Sequence, residues 1–162
     1  MWFEINPCLR KDTLVKNKNI DYTLCVVISD VQRLNYSHLD IAGDAVEGGA
    51  TLIQFREKNK NIRELIRIGI ALKAIAKKAE IPLIVNDFID VALAIEADGV
   101  HLGQDDMPLV VARHILHSDM IIGVSVDNPK EAMEAEKDGA DYLGVGPIFA
   151  TSSKEDAGRP IG

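Results

Sequence analysis

The chain has 162 residues, with 18 Lys and Arg against 25 Asp and Glu, a net charge of −7 and 47% hydrophobic residues. That is the composition of a folded domain, and its acidic balance argues against a nucleic-acid or anionic-membrane binder while leaving room for a small cationic pocket. Cys8 and Cys25 form neither a disulfide framework nor a zinc spacing, and no apolar stretch approaches the ~20 residues of a membrane span, so a cytoplasmic protein acting on small molecules is expected.

Residues 1–20 place their charges after the aromatic residues and lack an apolar run, which reads as an N-terminal extension rather than a signal peptide. Residues 21–162 read as one domain in which the apolar period switches back and forth. The first β-rich run, Tyr22–Ile28, is followed by helical spacing over Ser37–Glu47. A second strand at Thr51–Arg56 precedes the clearest helix, Ile62–Lys78, whose Ile62, Leu65, Ile66, Ile70, Leu72 and Ile75 form a broad apolar stripe. Strands at Leu83–Asn86, Gly99–Leu102, Ile121–Ser125 and Tyr142–Val145 alternate with shorter helices at Ile89–Glu96, Leu109–His117 and Lys130–Lys137. Pro129 after Asn128 marks a helix start. Gly48-Gly49, Gly99 and Gly139 sit where a helix closes and a strand opens, where glycine can take the left-handed turn.

Strand–helix alternation of this kind implies right-handed parallel crossovers and a sheet covered by helices. The count of about six strands suits an open doubly wound sheet. It also suits part of a closed barrel, which needs two strands more. Composition and period do not separate the two.

The strand ends carry the chemistry-bearing residues. Period 2 in TLIQFREK puts Leu52, Gln54, Arg56 and Lys58 on one side and Ile53 and Phe55 on the other. An inward ladder of amide, guanidinium and ammonium needs a partner such as an anion; the alternative leaves Arg56 and Lys58 as solvated charges past the strand end. Asn86-Asp87 and Asp106 follow the third and fourth strands, on the rim where parallel α/β proteins place their chemistry. Two carboxylates there are a magnesium-holding pattern, although Asp also caps helices well. Gly123 and Ser125 share a face, as do Gly144 and Gly146, which reads either as open volume for a ligand or as close backbone packing. Hydroxyls and a lysine in Thr151-Ser152-Ser153-Lys154 are able to hold phosphate oxygens. His101 reads as a satisfied core histidine.

At these residues the sequence resembles the thiamine phosphate synthase family, through GGATLIQFREK, IPLIVNDFIDVALAIEADGVHLGQDD, IIGVSV and EKDGADYLGVGPIFATSSK, in unbroken order over residues 22–162. The resemblance implies a (β/α)8 TIM barrel and a transferase of thiamine biosynthesis. Such an enzyme joins hydroxymethylpyrimidine diphosphate to a thiazole (carboxylate) phosphate and releases diphosphate (and carbon dioxide). Carried over by position, Gln54, Phe55, Arg56, Glu57, Lys58, Asn86, Ser125 and Lys154 would contact the pyrimidine diphosphate, with Lys58, Ser125 and Lys154 acting on the reacting groups. Asp87 and Asp106 would hold Mg2+, and Thr151, Ser152 and Ser153 would meet the thiazole phosphate.

The family's barrel runs on through two more strand–helix units beyond Pro160-Ile161-Gly162. The resemblance therefore implies that these 162 residues carry about the first six strands and lack part of the thiazole phosphate cradle. Such a chain is expected to self-associate, as a homo-oligomer or otherwise, and to turn over poorly. Two other readings stand beside the synthase: a truncated barrel that binds a phosphate ligand or a partner without catalysis, and a thiazole tautomerase-like barrel. The combined presence of Gln54, Lys58, Asn86-Asp87, Asp106 and Ser125 speaks against the latter.

Overall fold

The computed structural model describes residues 20–29, 36–151 and 158–162. Among these residues six strands, β1 (Cys25–Ile28), β2 (Leu52–Phe55), β3 (Leu83–Asn86), β4 (Gly99–Leu102), β5 (Ile121–Val126) and β6 (Tyr142–Val145), alternate with five helices. The helices are α1 (His38–Glu47), α2 (Ile62–Lys78), α3 (Ile89–Ala94), α4 (Leu109–Ile115) and α5 (Pro129–Asp138). Every strand pair is parallel, and spatial order follows chain order from β1 to β6.

Local chemistry explains most of the boundaries. Ser37 caps α1 by accepting from the Asp40 backbone N–H, and Asp40 accepts in return from the Ser37 N–H, a reciprocal pair that satisfies two orphan donors. Asn61 and Asn128 cap α2 and α5 by accepting from the Glu64 and Glu131 backbone N–H groups, with Pro129 at the first position of α5. Gly49 and Gly139 take the left-handed turns expected of them, with φ of 87° and 93°. Gly99 does not. There the left-handed residue is Glu96, which stops α3 short of its expected end, and Gly99 lies inside β4 where a Cβ would meet the Ile121 carbonyl oxygen at 2.2 Å. β1 begins at Cys25 rather than Tyr22 because the Leu24 N–H donates to the Thr51 hydroxyl instead of to a β2 carbonyl.

The two faces of the sheet have different fates. Ile28, Ile53, Phe55, Leu83, Val85, Val100, Leu102, Ile122 and Val124 turn outward and pack under the helices with Leu65, Leu72, Ala76, Val91 and Ala112. Each fully buried Leu or Ile there contributes ~2 kcal/mol, so this layer holds the helices to the sheet. The inner face has a small apolar floor of Leu52, Ile84 and Ile121, joined by Ile20 and Tyr142. Above it, toward the carboxyl ends of the strands, stand Gln54, Asn86 and His101, all buried, with Ser125 beside them.

The sheet curls into a half-barrel. Six flat strands would separate β1 from β6 by ~24 Å at the usual spacing. Yet the ring of Tyr22, just before β1, lies 5.0 Å from that of Tyr142 in β6. Among the described residues no helix is long and apolar enough to cross a membrane.

Candidate functional site

The carboxyl ends of β2 to β6 surround a cavity of about 300 Å³, lined among others by Arg56, Lys58, Asn86, Asp87, Asp106 and Ser125. These are residues that the sequence picks out from four separate strand ends, and parallel pairing brings them to one rim. Arg56 is set by its backbone N–H, which donates to the Ile28 carbonyl at 2.8 Å and extends the β1–β2 ladder by one residue.

Asp87 sits in the left-handed region at φ 65°, a conformation that Asp tolerates better than most residues and that is often concentrated at functional sites. Its backbone N–H donates to the His101 carbonyl at 2.9 Å, so β4 holds the turn. The Lys58 ammonium lies 3.3 Å from the Asp87 carboxylate. The Asp106 carboxyl is within hydrogen-bond reach of Asp87 and also accepts from the Gly103 N–H at 2.6 Å. Burial, then the neighbouring Asp106, push the Asp87 carboxyl up to about 6, against the opposing pull of Lys58.

Helix capping does not account for either carboxylate. The residues at the cap positions of α3 and α4 are Phe88 and Pro108, and neither helix receives a side-chain cap. The lining also contains Asp105, Asp127 and Glu131, so two described cations, Arg56 and Lys58, face five carboxylates. A bare polyanion would be repelled there. Two adjacent carboxylates beside an excess of negative charge form a donor set that a hard divalent cation fits, and the group of three or more ligands typical of a protein-only cage is absent among the described residues.

A second cavity, about 620 Å³, lies on the inner face and shares Ser125, Gly146 and Gly158 with the first. Gln54, Leu52, His101, Tyr22, Tyr142 and Thr151 line it. His101 is satisfied on both ring nitrogens, as expected of a core histidine, yet it is also part of a cavity wall. Of the four positions read as either open volume or close packing, Ser125, Gly144 and Gly146 line this cavity, whereas Gly123 is filled by a neighbouring ring. A Cβ at Gly123 would sit 2.0 Å from the Tyr142 ring, and one at Gly144 would sit 2.9 Å from His101 Cε1, so both glycines make room for neighbouring rings and Gly144 borders the cavity as well.

Not every candidate residue turns toward the cavities. Phe55 packs in the outer layer, edge-on to His38. The buried Glu57 carboxylate lies 3.2 Å from His38 Nε2 and accepts from the Asn59 N–H at 2.9 Å, so it shapes the β2–α2 loop that aims Lys58. Ser152, Ser153 and Lys154 lie outside the described residues. Gln104 has no counterpart among the residues singled out from sequence. Its amide donates to the Ser125 carbonyl at 2.6 Å, tying the β4–α4 loop to β5, and only its place in the acidic GQDD loop hinted at a role.

The sequence profile of the thiamine monophosphate synthase family matches residues 24–162. The thiamine-phosphate synthase of Chloroflexus aurantiacus is 49% identical over 143 residues, which are 88% of this chain and 66% of the relative. That of Clostridium novyi is 50% identical over 145 residues, 89% of this chain and 71% of the relative. The thiamine phosphate pyrophosphorylase from Pyrococcus furiosus superposes with a TM-score of 0.73 at 47% identity, covering 79% of this chain and 62% of that one. The chain thus spans about two thirds of the length of the relatives it matches. With the rim residues, the profile and the superposed fold in agreement, the chain belongs to the thiamine monophosphate synthase family.

Proposed function

We propose that this chain carries the pyrimidine-diphosphate site of a thiamine phosphate synthase, the transferase that joins hydroxymethylpyrimidine diphosphate to a thiazole (carboxylate) phosphate. The observation that carries the reading is the gathering of Arg56, Lys58, Asn86, Asp87, Asp106 and Ser125 around one cavity of about 300 Å³. Relatives of about 50% identity named thiamine-phosphate synthase support it.

In this reading the diphosphate occupies the charged cavity and the pyrimidine extends toward Gln54 and the larger cavity. Asp87 and Asp106 hold magnesium, whose chemistry is to neutralise charge on the diphosphate oxygens. The reaction breaks the carbon–oxygen bond to diphosphate, with the electron pair leaving on oxygen, while the thiazole nitrogen forms a bond to the same carbon; a carboxylated thiazole also loses its carboxylate as carbon dioxide. Arg56 and Lys58 offer fixed positive charge to the departing group, and Asn86 and Ser125 offer hydrogen bonds. Lys154 adds a third cation in this reading. Thr151, Ser152 and Ser153 meet the thiazole phosphate. No protein nucleophile is required, since positioning the nitrogen suffices.

The test is calorimetric titration of the 162-residue chain with the pyrimidine diphosphate, with and without magnesium. Magnesium-dependent binding that Asp106→Asn weakens at least tenfold is expected. Binding indifferent to both magnesium and Asp106 would refute the site. Product formation with both substrates present separates a synthase from a barrel that only binds.

A further inference from the structure

Four polar side chains on the inner face form a single line of hydrogen bonds across four strands. The Gln54 side chain of β2 is within hydrogen-bond reach of the phenol of Tyr142 in β6. The phenol oxygen lies 2.9 Å from His101 Nδ1 in β4, and His101 Nε2 lies 2.9 Å from Ser125 Oγ in β5. Ser125 in turn lines the charged cavity. Gly123 and Gly144 stand where side chains would strike the two rings, at 2.0 Å and 2.9 Å, so neighbouring strands leave the line its space.

The line has a direction. Two hydroxyls flank His101, and the phenol is by far the stronger acid of the two, so it is the one that donates to the ring, at Nδ1. A neutral imidazole that accepts at Nδ1 carries its proton on Nε2, and that N–H donates to Ser125 Oγ. The Ser125 proton then has no place on His101 and is left for an acceptor in the cavity. Burial raises the Tyr142 phenol above its ordinary range and keeps it a donor throughout the working pH range.

We propose that Tyr142 and His101 are positioning residues that, through this line, turn the Ser125 hydroxyl into a hydrogen-bond donor aimed at the anion in the charged cavity. The inference rests on the diphosphate reading above and extends it to Tyr142 and His101.

The experiment uses the full chain and two readouts. Nitrogen-15 spectra of the imidazole should show His101 as the Nε2–H tautomer, and Tyr142→Phe, which keeps the ring but removes the donor, should shift it toward Nδ1–H. Titration with inorganic diphosphate and magnesium should show Tyr142→Phe binding about three- to tenfold more weakly. In a Ser125→Ala background the same change should have no further effect. Equal weakening in both backgrounds would reduce Tyr142 to packing and overturn the proposal. The two kinds of failure differ: absent binding by the unmodified chain overturns the diphosphate reading and the proposal together, whereas normal binding with an Nδ1–H tautomer overturns the proposal alone.

Discussion

Asp87→Asn separates the charge at residue 87 from its backbone. Asn tolerates the left-handed conformation at φ 65° at least as well as Asp, so the substitution removes a negative charge without straining the turn. The Asp87 carboxyl is held at about 6 in the folded chain against an ordinary 3.8. Between those values the folded state keeps a proton that the unfolded state has released. Stability therefore falls as pH rises from ~4 through ~6, and the penalty is complete above that window. A gap of this size corresponds to roughly 3 kcal/mol at most, reduced to about 1 kcal/mol because the cavity mouth is open to solvent. In magnesium-free urea unfolding at one protein concentration, Asp87→Asn should thus be about 1 kcal/mol more stable than the unmodified chain at pH 7.5. The two should converge near pH 4. Magnesium with diphosphate should reverse the order, because a ligand present at 100 times its Kd stabilises the binding-competent protein by ~2.7 kcal/mol and the variant has lost a ligand group. A destabilised variant at pH 7.5, or a difference that does not change with pH, would refute the argument that this site is electrostatically strained.

Lys58→Ala should weaken magnesium-dependent diphosphate binding by about tenfold or more, since charge-assisted contacts contribute ~1.5–3 kcal/mol, while Lys78→Ala at the far end of α2 should leave it unchanged. Equal titrations for the two variants would make Lys58 a solvated charge. The 162-residue chain by itself should self-associate, because β1 and β6 end the described sheet and Leu24, Val27 and Val145 are exposed near those edges. Light scattering that returns a single monomeric mass across a hundredfold concentration range would count against it.

Much of this protein is determined locally and is therefore present in the sequence. The change of apolar period from two to 3.6 separates β2 from α2. Side chains within one turn of a helix start, such as Ser37 with Asp40 or Asn128 with Pro129, set where the helices begin. The rim residues Arg56, Asp87 and Asp106 follow from position alone, because parallel strands send their carboxyl ends to one side and each residue lies at or just past such an end. What the tertiary structure decided lies between strands. The sequence marks small residues at Gly123 and Gly144, but what fills the space beside them comes from β6 and β4, through a register that no local pattern encodes. The same holds for Glu57: the alternation of β2 puts it on the outward side with Ile53 and Phe55, but only packing decides that its partner there is a histidine from α1. Capping competes for Asp87 and Asp106 in the sequence, and only the turns themselves put Phe88 and Pro108 in the cap positions. The Tyr142–His101–Ser125 line depends on three strands far apart in sequence, and curling of the sheet brings Tyr22 against Tyr142. Local periodicity reflects forces within a few residues of each backbone group, whereas a side chain's partner across a sheet is chosen by the packing of all the strands at once.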